Sequence, residues 1–545
     1  MIMTNNTTYL FSSFIDNPSF FFQGYCFVGK DYVYGLEGAS TYVKQSEKAL
    51  KFGEDGCYIL AEKKGENYVF GSDHSGYKKI FYYKDEISGD WVVSNSLNLM
   101  VVHLKENSIK VTPNFAQLMA LSRSPTPTQQ PTSFNTIVNE IKLLPLNTFL
   151  VIGKNTLSVE KHKNFNTSDM NYDELLIDFI ETWSSRLATL FNNNSLIIEQ
   201  ALTGGVDSRS VFSLTQLAKK SLNNQITADH FLNCGLTRGD TRDIDVAKKI
   251  STHYDYPLNP KRDNYKGRIK LNSLERYNEW KDVCLGTYAP IYFPSLLVSP
   301  LHTSIGGGGG ENHRPFYADY LKSHDYKQLI SSVCKGITDP IFKMSINHSM
   351  LATFAHLASI NEISKDELLN AHYKNFRNRF HIGLFPQYRV TFTPLSSKLL
   401  DKLAAAGNMD KIRSSQILYD LMSLVEGLID FAFDDVKKSP DKHQLKSLIK
   451  LSKSFDVELG DCYIDNTIND YANSLKSQIT VTSPLMCLKQ DFDLACESQI
   501  VKTLWGEDYI KDAKAVMDIA IKSGKLPYAA DGRSISVIVA TGLFA

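Results

Sequence analysis

The run Leu-Thr-Gly-Gly-Val-Asp-Ser-Arg at 202–209 concentrates the most chemistry in the shortest space. Two adjacent glycines let a chain turn tightly and bring its backbone close to a ligand, with no Cβ in the way. The run lies between an apolar segment at 196–202 and an amphipathic one at 209–221, so it reads as a strand-to-helix turn. Amides at the start of such a helix, aided by its dipole, favour an anion such as pyrophosphate. Gly204, Gly205 and Val206 would supply backbone to that cradle, while Thr203 and Ser208 add hydroxyl donors. Asp207 would repel a phosphate directly, so its role there is to hold a magnesium ion that bridges phosphates. No GxxxxGK[ST] sequence occurs, which excludes a Walker-type loop.

A second glycine-rich run, Thr-Ser-Ile-Gly-Gly-Gly-Gly-Gly-Glu-Asn at 303–312, follows an apolar stretch at 296–301. Taken alone, five glycines make a flexible linker as readily as a ligand loop. Asp243 opens a helix-like segment at 243–254, where its charge would complement the dipole. Lys437 and Lys438, in Asp-Asp-Val-Lys-Lys-Ser-Pro, read most simply as an exposed loop. His348 and His356 lie in an apolar helix-like stretch without HExxH spacing and read as core or surface side chains.

The elements that must position these residues change character along the chain. Residues 1–165 read as short strands: 56–61, 68–71, 79–84 and 91–94 are rich in aromatic and β-branched residues and bounded by Gly, Asp or Asn. A proline-rich loop at 124–131 cannot be a helix interior. From Asp173 the pattern alternates: helix 172–190, strand 196–202, helix 209–221, strand 230–234, helix 243–254. Such alternation predicts a parallel sheet. Beyond about residue 320 the chain reads as mostly helical.

Composition narrows the setting. The 545 residues carry 59 basic and 59 acidic side chains, a formal net charge of zero that argues against nucleic-acid binding by bulk attraction. Eight cysteines without a CxxC pair suggest buried or free thiols in a reducing compartment rather than a disulfide framework or a zinc site. No apolar run of about 20 residues is present to span a membrane, and the N-terminus lacks the basic start of a signal peptide. A cytoplasmic setting is expected.

The first loop resembles the SGGxDS signature of the PP-loop ATP pyrophosphatases, with Thr203 in place of the first serine. The second is similar to the glycine-rich turn of the asparagine-synthetase branch, with Gly308, Gly309 and Gly310 leading to Glu311 in the position of a metal-binding aspartate. Asp-Ile-Asp-Val-Ala at 243–247 resembles that family's D-x-x-x-A helix start, and Lys411-Ile-Arg413 its basic-helix segment. In the first region, 71–83 with 92–96 is similar to the family's glutaminase domain, and Asn147 stands for the glycine of its later turn. The resemblance implies an α+β N-terminal β-sandwich of Ntn, glutaminase-like fold (1–165), then an α/β PP-loop domain with helical elaboration (166–545). It implies ATP and Mg2+, with the metal on Asp207 and Glu311, pyrophosphate on Thr203 to Ser208, and adenine near Asn233 and Cys234. Lys411 and Arg413 would assist catalysis.

One departure is informative. The family's working glutaminases carry a nucleophilic cysteine directly after the initiator methionine, but this chain begins Met1-Ile2-Met3 and its first cysteine is Cys26. There is no arginine before Arg123 to clamp a carboxylate and no Asn-Gly pair. The expectation is therefore a ligase without its own glutaminase, resembling β-lactam synthetases and lasso-peptide cyclases. Such an enzyme adenylates a carboxylate, releases AMP and pyrophosphate, and transfers the acyl group to an amine. Gly308 replaces the tyrosine of the β-lactam branch, which disfavours β-lactam closure. Two alternatives stand beside this: amidation with free ammonia or ammonia from another subunit, and a silent ATP-binding scaffold. The partners implied are a small-molecule or peptide carboxylate and an amine or ammonia, with room for a partner protein or a homo-oligomer.

Overall fold

The computed structural model describes residues 7–123, 126–162, 171–235, 241–260, 269–297, 299–361, 363–406, 411, 414–435, 438–451, 454–465, 483–526 and 532–545. The first region contributes β1 (Leu10–Ser12), β2 (Phe20–Val28), β3 (Asp31–Tyr34), β4 (Gly56–Lys64), β5 (Asn67–Ser72), β6 (Phe81–Lys84), β7 (Trp91–Ser94), β8 (Lys142–Leu143), β9 (Thr148–Gly153) and β10 (Thr156–Lys161). The middle adds β11 (Ile197–Ala201), β12 (Asp229–Asn233), β13 (Ile269–Lys270), β14 (Leu296–Leu297), β15 (His302–Ile305) and β16 (Val390–Phe392), and β17 (Cys462–Ile464) comes last. The four strands expected from composition between 56 and 94 are all present, as β4 to β7.

Two sheets face each other in the first region. One has the order β1-β7-β6-β8, the other β10-β9-β5-β4-β2-β3-β17. Alternation along β2 explains how the larger sheet is covered, since successive side chains point to opposite faces. Phe21 packs with Ile59, Phe70 and Leu150 against Phe11, Trp91 and Val93 of the smaller sheet. Tyr25 and Phe27, on the same face, pack instead on Trp183 and Phe392 of the following region. Phe22 and Cys26 face the other way, toward Ala39 and Tyr42 of the helix Gly35–Ser46. β17 joins β3 in parallel, so this sheet is completed by a segment from far down the chain.

The second region begins with the helix Tyr172–Phe191, opened by a reciprocal cap: the Asn171 side chain accepts from the Glu174 amide at 2.9 Å while Glu174 accepts from the Asn171 amide. Its buried stripe, Leu175, Leu176, Phe179, Ile180, Trp183 and Leu187, has the 3.6-residue period that the sequence shows. Next comes a four-stranded sheet with the order β12-β11-β15-β16, parallel throughout. The helices Val206–Ser221 and Arg242–His253 follow β11 and β12 respectively. After residue 320 the described residues are mostly helical, with the short strands β16 and β17 and an irregular stretch before β17. Three C-terminal helices, Pro484–Glu497, Gln499–Ser523 and Arg533–Gly542, share one core with Leu10, Phe81 and Val92 of the smaller sheet. The protein is therefore mixed α/β, and among the described residues no helix is long and apolar enough to cross a membrane.

One expectation needs correction. The helix after the first glycine loop starts at Val206, three residues before Arg209, so Asp207 and Ser208 sit in its first turn. The strand before the second glycine run is His302–Ile305, and within the apolar stretch that precedes it Leu296–Leu297 pairs with Ile269–Lys270 in a small ribbon. β15 is sandwiched between β11 and β16, and that position buries His302, Thr303 and Ser304 although their types read as loop.

Candidate functional site

The order β12-β11-β15-β16 contains a reversal: from β11 the chain goes to one neighbour, β12, and later returns to the other, β15. In open parallel sheets such a reversal leaves a crevice beyond the carboxyl ends of the two central strands, because the segments after them leave in opposite directions. Both glycine runs lie there. Residues 202–205 follow β11, and 306–310 follow β15.

The first loop is held by its own side chains and by two remote ones. The Thr203 amide donates to Ser208 Oγ at 3.0 Å, the Gly205 amide to Thr203 Oγ1 at 3.2 Å, and the Gly204 amide to Asp243 Oδ1 at 2.8 Å. Asp243 is thus a ligand of the loop itself, which is more than a charge placed at its own helix start. Arg209 is fully buried. It donates to the carbonyls of Gly204 (3.1 Å), Phe431 (2.8 Å) and Ala432, and so ties the loop to 431–434. A Cβ on Gly204 would lie 2.7 Å from Asp434 Cβ, so the turn needs a residue without one. Gly205 is the N-cap of the 16-residue helix and Val206 its first residue. No side-chain hydrogen bond caps this end, which leaves the helix start available to an anion.

The second loop packs onto the first. A Cβ on Gly307 would lie 2.7 Å from the Ser208 amide nitrogen, and one on Gly310 would strike Asp207 Oδ1. Gly308 lies against Ile382 and Thr393, and Gly309, at φ +90°, against Ser396. Glu311 begins from this loop within the single turn Gly310–His313, and Arg314 follows it. Arg314 Nη2 donates to Asp207 Oδ2 at 2.7 Å and lies 3.5 Å from Glu311 Oε1, so one guanidinium bridges carboxylates from the two loops.

These groups set the electrostatics of the crevice. Burial pushes the Asp207 carboxyl up to about 6, against the pull of Arg314 and Lys438, and Glu311 adds to the upward push. Among the described residues, the buried atoms Asp207 Oδ1, Arg314 Nε, Asn312 Oδ1 and Asp434 Oδ1 have no hydrogen-bond partner. Orphaned polar atoms are costly when buried, and all four belong to residues of the two glycine loops or of segments packed on them. Asp207 and Glu311 offer only oxygen, which suits a hard divalent cation such as Mg2+, commonly held by one or two carboxylates plus substrate phosphates. No group of three or more His, Cys, Asp or Glu able to hold a metal occurs among the described residues, so phosphate oxygens would have to complete such a site.

The other expected site residues are distributed differently. Asn233 ends β12, and its amide donates to Glu199 Oε1. Cys234 is buried, with its backbone amide and carbonyl both taken by the Asn259 side chain at 2.9 Å. Lys411 stacks over the Tyr172 ring, 3.2 Å from its centroid, while Arg314 and Lys438 are the basic groups that pull on the Asp207 carboxyl most. Arg413 lies outside the described residues. Lys438, whose side chain is 40% exposed as the sequence reading of this run expects, pairs with Asp434 at 2.5 Å, with its ammonium 4.0 Å from where a Gly205 Cβ would be. The placement has a physical cause: Asp434 packs on Gly204, and the i,i+4 spacing brings Lys438 with it. Arg314 and Asp434 were missed altogether. The signal that could have found Arg314 is its place three residues after Glu311, within reach of the same turn.

The first region reaches this site through one turn. Asp73 accepts from the amides of Tyr77 and Lys78, both at 2.9 Å, Ser75 Oγ donates to the Ser396 carbonyl at 2.8 Å, and Ser396 is the residue against Gly309. Asn147 adopts φ +61°, the left-handed conformation that glycine or asparagine takes most easily. Cys26 is buried within β2, and burial pushes its thiol well above the usual range. No protein-family model and no curated protein matches this chain.

Proposed function

We propose that this protein is an ATP-dependent ligase that adenylates a carboxylate, releases pyrophosphate, and passes the acyl group to an amine with release of AMP. The observation that carries the reading is the convergence of two glycine loops at the reversal point of a parallel sheet, with one carboxylate from each loop bridged by a single cation. We read the sheet and its helices as a PP-loop fold and residues 1–165 as a glutaminase-like fold. The depth of Cys26 supports a first region without a cysteine nucleophile of its own.

In this reading the amides of 204–206 and the hydroxyls of Thr203 and Ser208 bind the β- and γ-phosphates at the start of the helix Val206–Ser221. Asp207 and Glu311 would hold Mg2+, which when bound neutralises phosphate charge and orients the α-phosphorus. Lys438 stands beside Gly205 and would stabilise charge that develops as the pyrophosphate departs. Gly307 to Gly310 hold the second loop against the first, so that Asp207 and Glu311 keep a common partner. Activation makes AMP the leaving group in place of a carboxylate oxygen, and proximity of the amine then completes the amide.

The test is product analysis with Mg-ATP, a panel of carboxylates, and amines or ammonium. Carboxylate-dependent exchange of labelled pyrophosphate into ATP, with AMP as the nucleotide product and loss of both in Asp207→Ala, is the expected result. ADP as the product, or nucleotide binding without any exchange across the panel, would sink the ligase reading.

A further inference from the structure

Arg314 occupies a position that the ligase reading leaves without a task. Its Nη2 reaches Asp207 Oδ2 at 2.7 Å and Glu311 Oε1 at 3.5 Å, the two carboxylates best suited to a divalent cation. Its Nε is buried without a hydrogen-bond partner among the described residues, so the planar fork of donors is only partly used. The neighbouring basic groups have other work. Arg209 is spent on the carbonyls of Gly204, Phe431 and Ala432, and Lys438, placed beside Gly205 for the departing pyrophosphate in the ligase reading, pairs with Asp434 in the nucleotide-free protein. The backbone around Arg314 is constrained by Pro315 and by the Phe316 amide, which donates to the Arg314 carbonyl at 2.9 Å. Movement there belongs to the side chain.

A guanidinium and a divalent cation cannot share the same two carboxylates without repelling each other across a few ångströms in a partly buried crevice. We propose that Arg314 is an exchangeable counter-ion: it holds Asp207 and Glu311 in the nucleotide-free protein, yields both to a divalent cation, and then pairs with the polyphosphate of a nucleoside triphosphate. The proposal rests on the ligase reading for its second half, while its first half concerns the empty protein alone. Guanidinium is suited to both states, since its fork matches carboxylate and phosphate oxygens alike. The exchange would keep the crevice from holding uncompensated negative charge before nucleotide arrives, and from holding excess positive charge after it.

The experiment uses the full-length protein and Mn2+ as the probe, with free Mn2+ followed by electron paramagnetic resonance in the absence of nucleotide. Arg314→Gln should bind Mn2+ roughly tenfold more tightly than wild type, because the competing cation is gone. The same variant should bind a non-hydrolysable ATP analogue with Mg2+ roughly tenfold or more weakly, because a charge-assisted contact to phosphate is lost. Asp207→Asn, expected to lose the Mn2+ site, verifies that the signal comes from this crevice. Arg314→Lys retains the charge and serves if the glutamine variant does not fold. It should leave Mn2+ affinity close to wild type and recover part of the analogue binding. Unchanged or weakened Mn2+ binding in Arg314→Gln overturns the proposal, as does tighter Mn2+ binding with analogue affinity intact. A wild-type protein that takes up Mn2+ but neither binds the analogue nor exchanges pyrophosphate overturns the ligase reading and the polyphosphate half together. The nucleotide-free titration then still decides whether Arg314 competes with the metal.

Discussion

The two glycine loops look alike in sequence and are built differently. The loop after β11 keeps its polar atoms engaged by side chains that a ligand could replace: Thr203 on the Gly205 amide, Asp243 on the Gly204 amide. A Cβ on Gly205 would meet nothing closer than 3.4 Å. The loop after β15 has five consecutive glycines and would pass for a linker, yet four of them are pressed against other atoms: Gly307 on the start of the helix, Gly308 on Ile382, Gly309 on Ser396 and Gly310 on Asp207. Glycine is needed at those four for close approach. Of the four, Gly309 alone, at φ +90°, also needs the backbone freedom of glycine. The first loop presents chemistry, and the second holds Asp207 and Glu311 in register.

The comparison can be broken by substitution. The largest effect on activity is expected from Asp207→Ala, which should lower pyrophosphate exchange by at least about a hundredfold with little loss of thermal stability, because an electrostatic group aimed at reacting charge is removed. Gly309→Ala should produce the largest loss of stability, roughly 2–3 kcal/mol by denaturant titration, since a Cβ there meets Ser396 and the backbone sits at φ +90°. Gly205→Ala should cost no more than about 1 kcal/mol, since its φ of −80° is open to any residue. Equal destabilisation by the two alanines would mean the loops do not differ as described.

Lysine variants sharpen the same contrast at a smaller scale. Lys438→Ala should raise the KM for ATP several-fold, because its ammonium stands beside the first loop and acts on Asp207. Lys411→Ala should leave the KM unchanged and reduce stability by no more than about 1 kcal/mol, the scale of a cation held over an aromatic ring. The reverse pattern would restore the assignment drawn from sequence.

A pH control lies away from both loops. Glu279, on the helix Ser273–Cys284, is buried, and burial pushes its carboxyl up to about 8, although the Thr7 hydroxyl donates to it at 2.6 Å. A carboxyl raised on folding takes up a proton as the chain folds. Its contribution to stability is therefore greatest below the unfolded value of about 4.3 and falls as pH rises through 8. Glu279→Gln should flatten that decline, seen as a smaller drop in Tm between pH 6 and 9, and should leave the difference between the glycine loops untouched.

Legibility in the sequence followed the range of the interaction. The strands between 56 and 94 and the helices around 172–191 and 242–253 could be read because alternation, helical period and bounding turn residues are local. Asn147 could stand for a glycine because left-handed backbone is a local demand. β15 could not be read as a strand, since only its position between two other strands buries His302, Thr303 and Ser304. Nor could the sequence place Lys438 beside Gly205, for the same reason: that position depends on Asp434 packing against a glycine 230 positions earlier.

The sequence by itself determined the two glycine runs, the acidic residue associated with each, and the change from strand-rich to alternating character near 165. Those are statements about residue type and short spacing, and covalent connectivity carries them. The tertiary structure decided that the runs meet at one reversal point, that Arg314 links Asp207 to Glu311, that Lys438 stands beside the first loop, and that β17 completes a sheet begun over 400 residues earlier. Each of these depends on contacts between distant segments, which burial and close packing select and which no local pattern encodes.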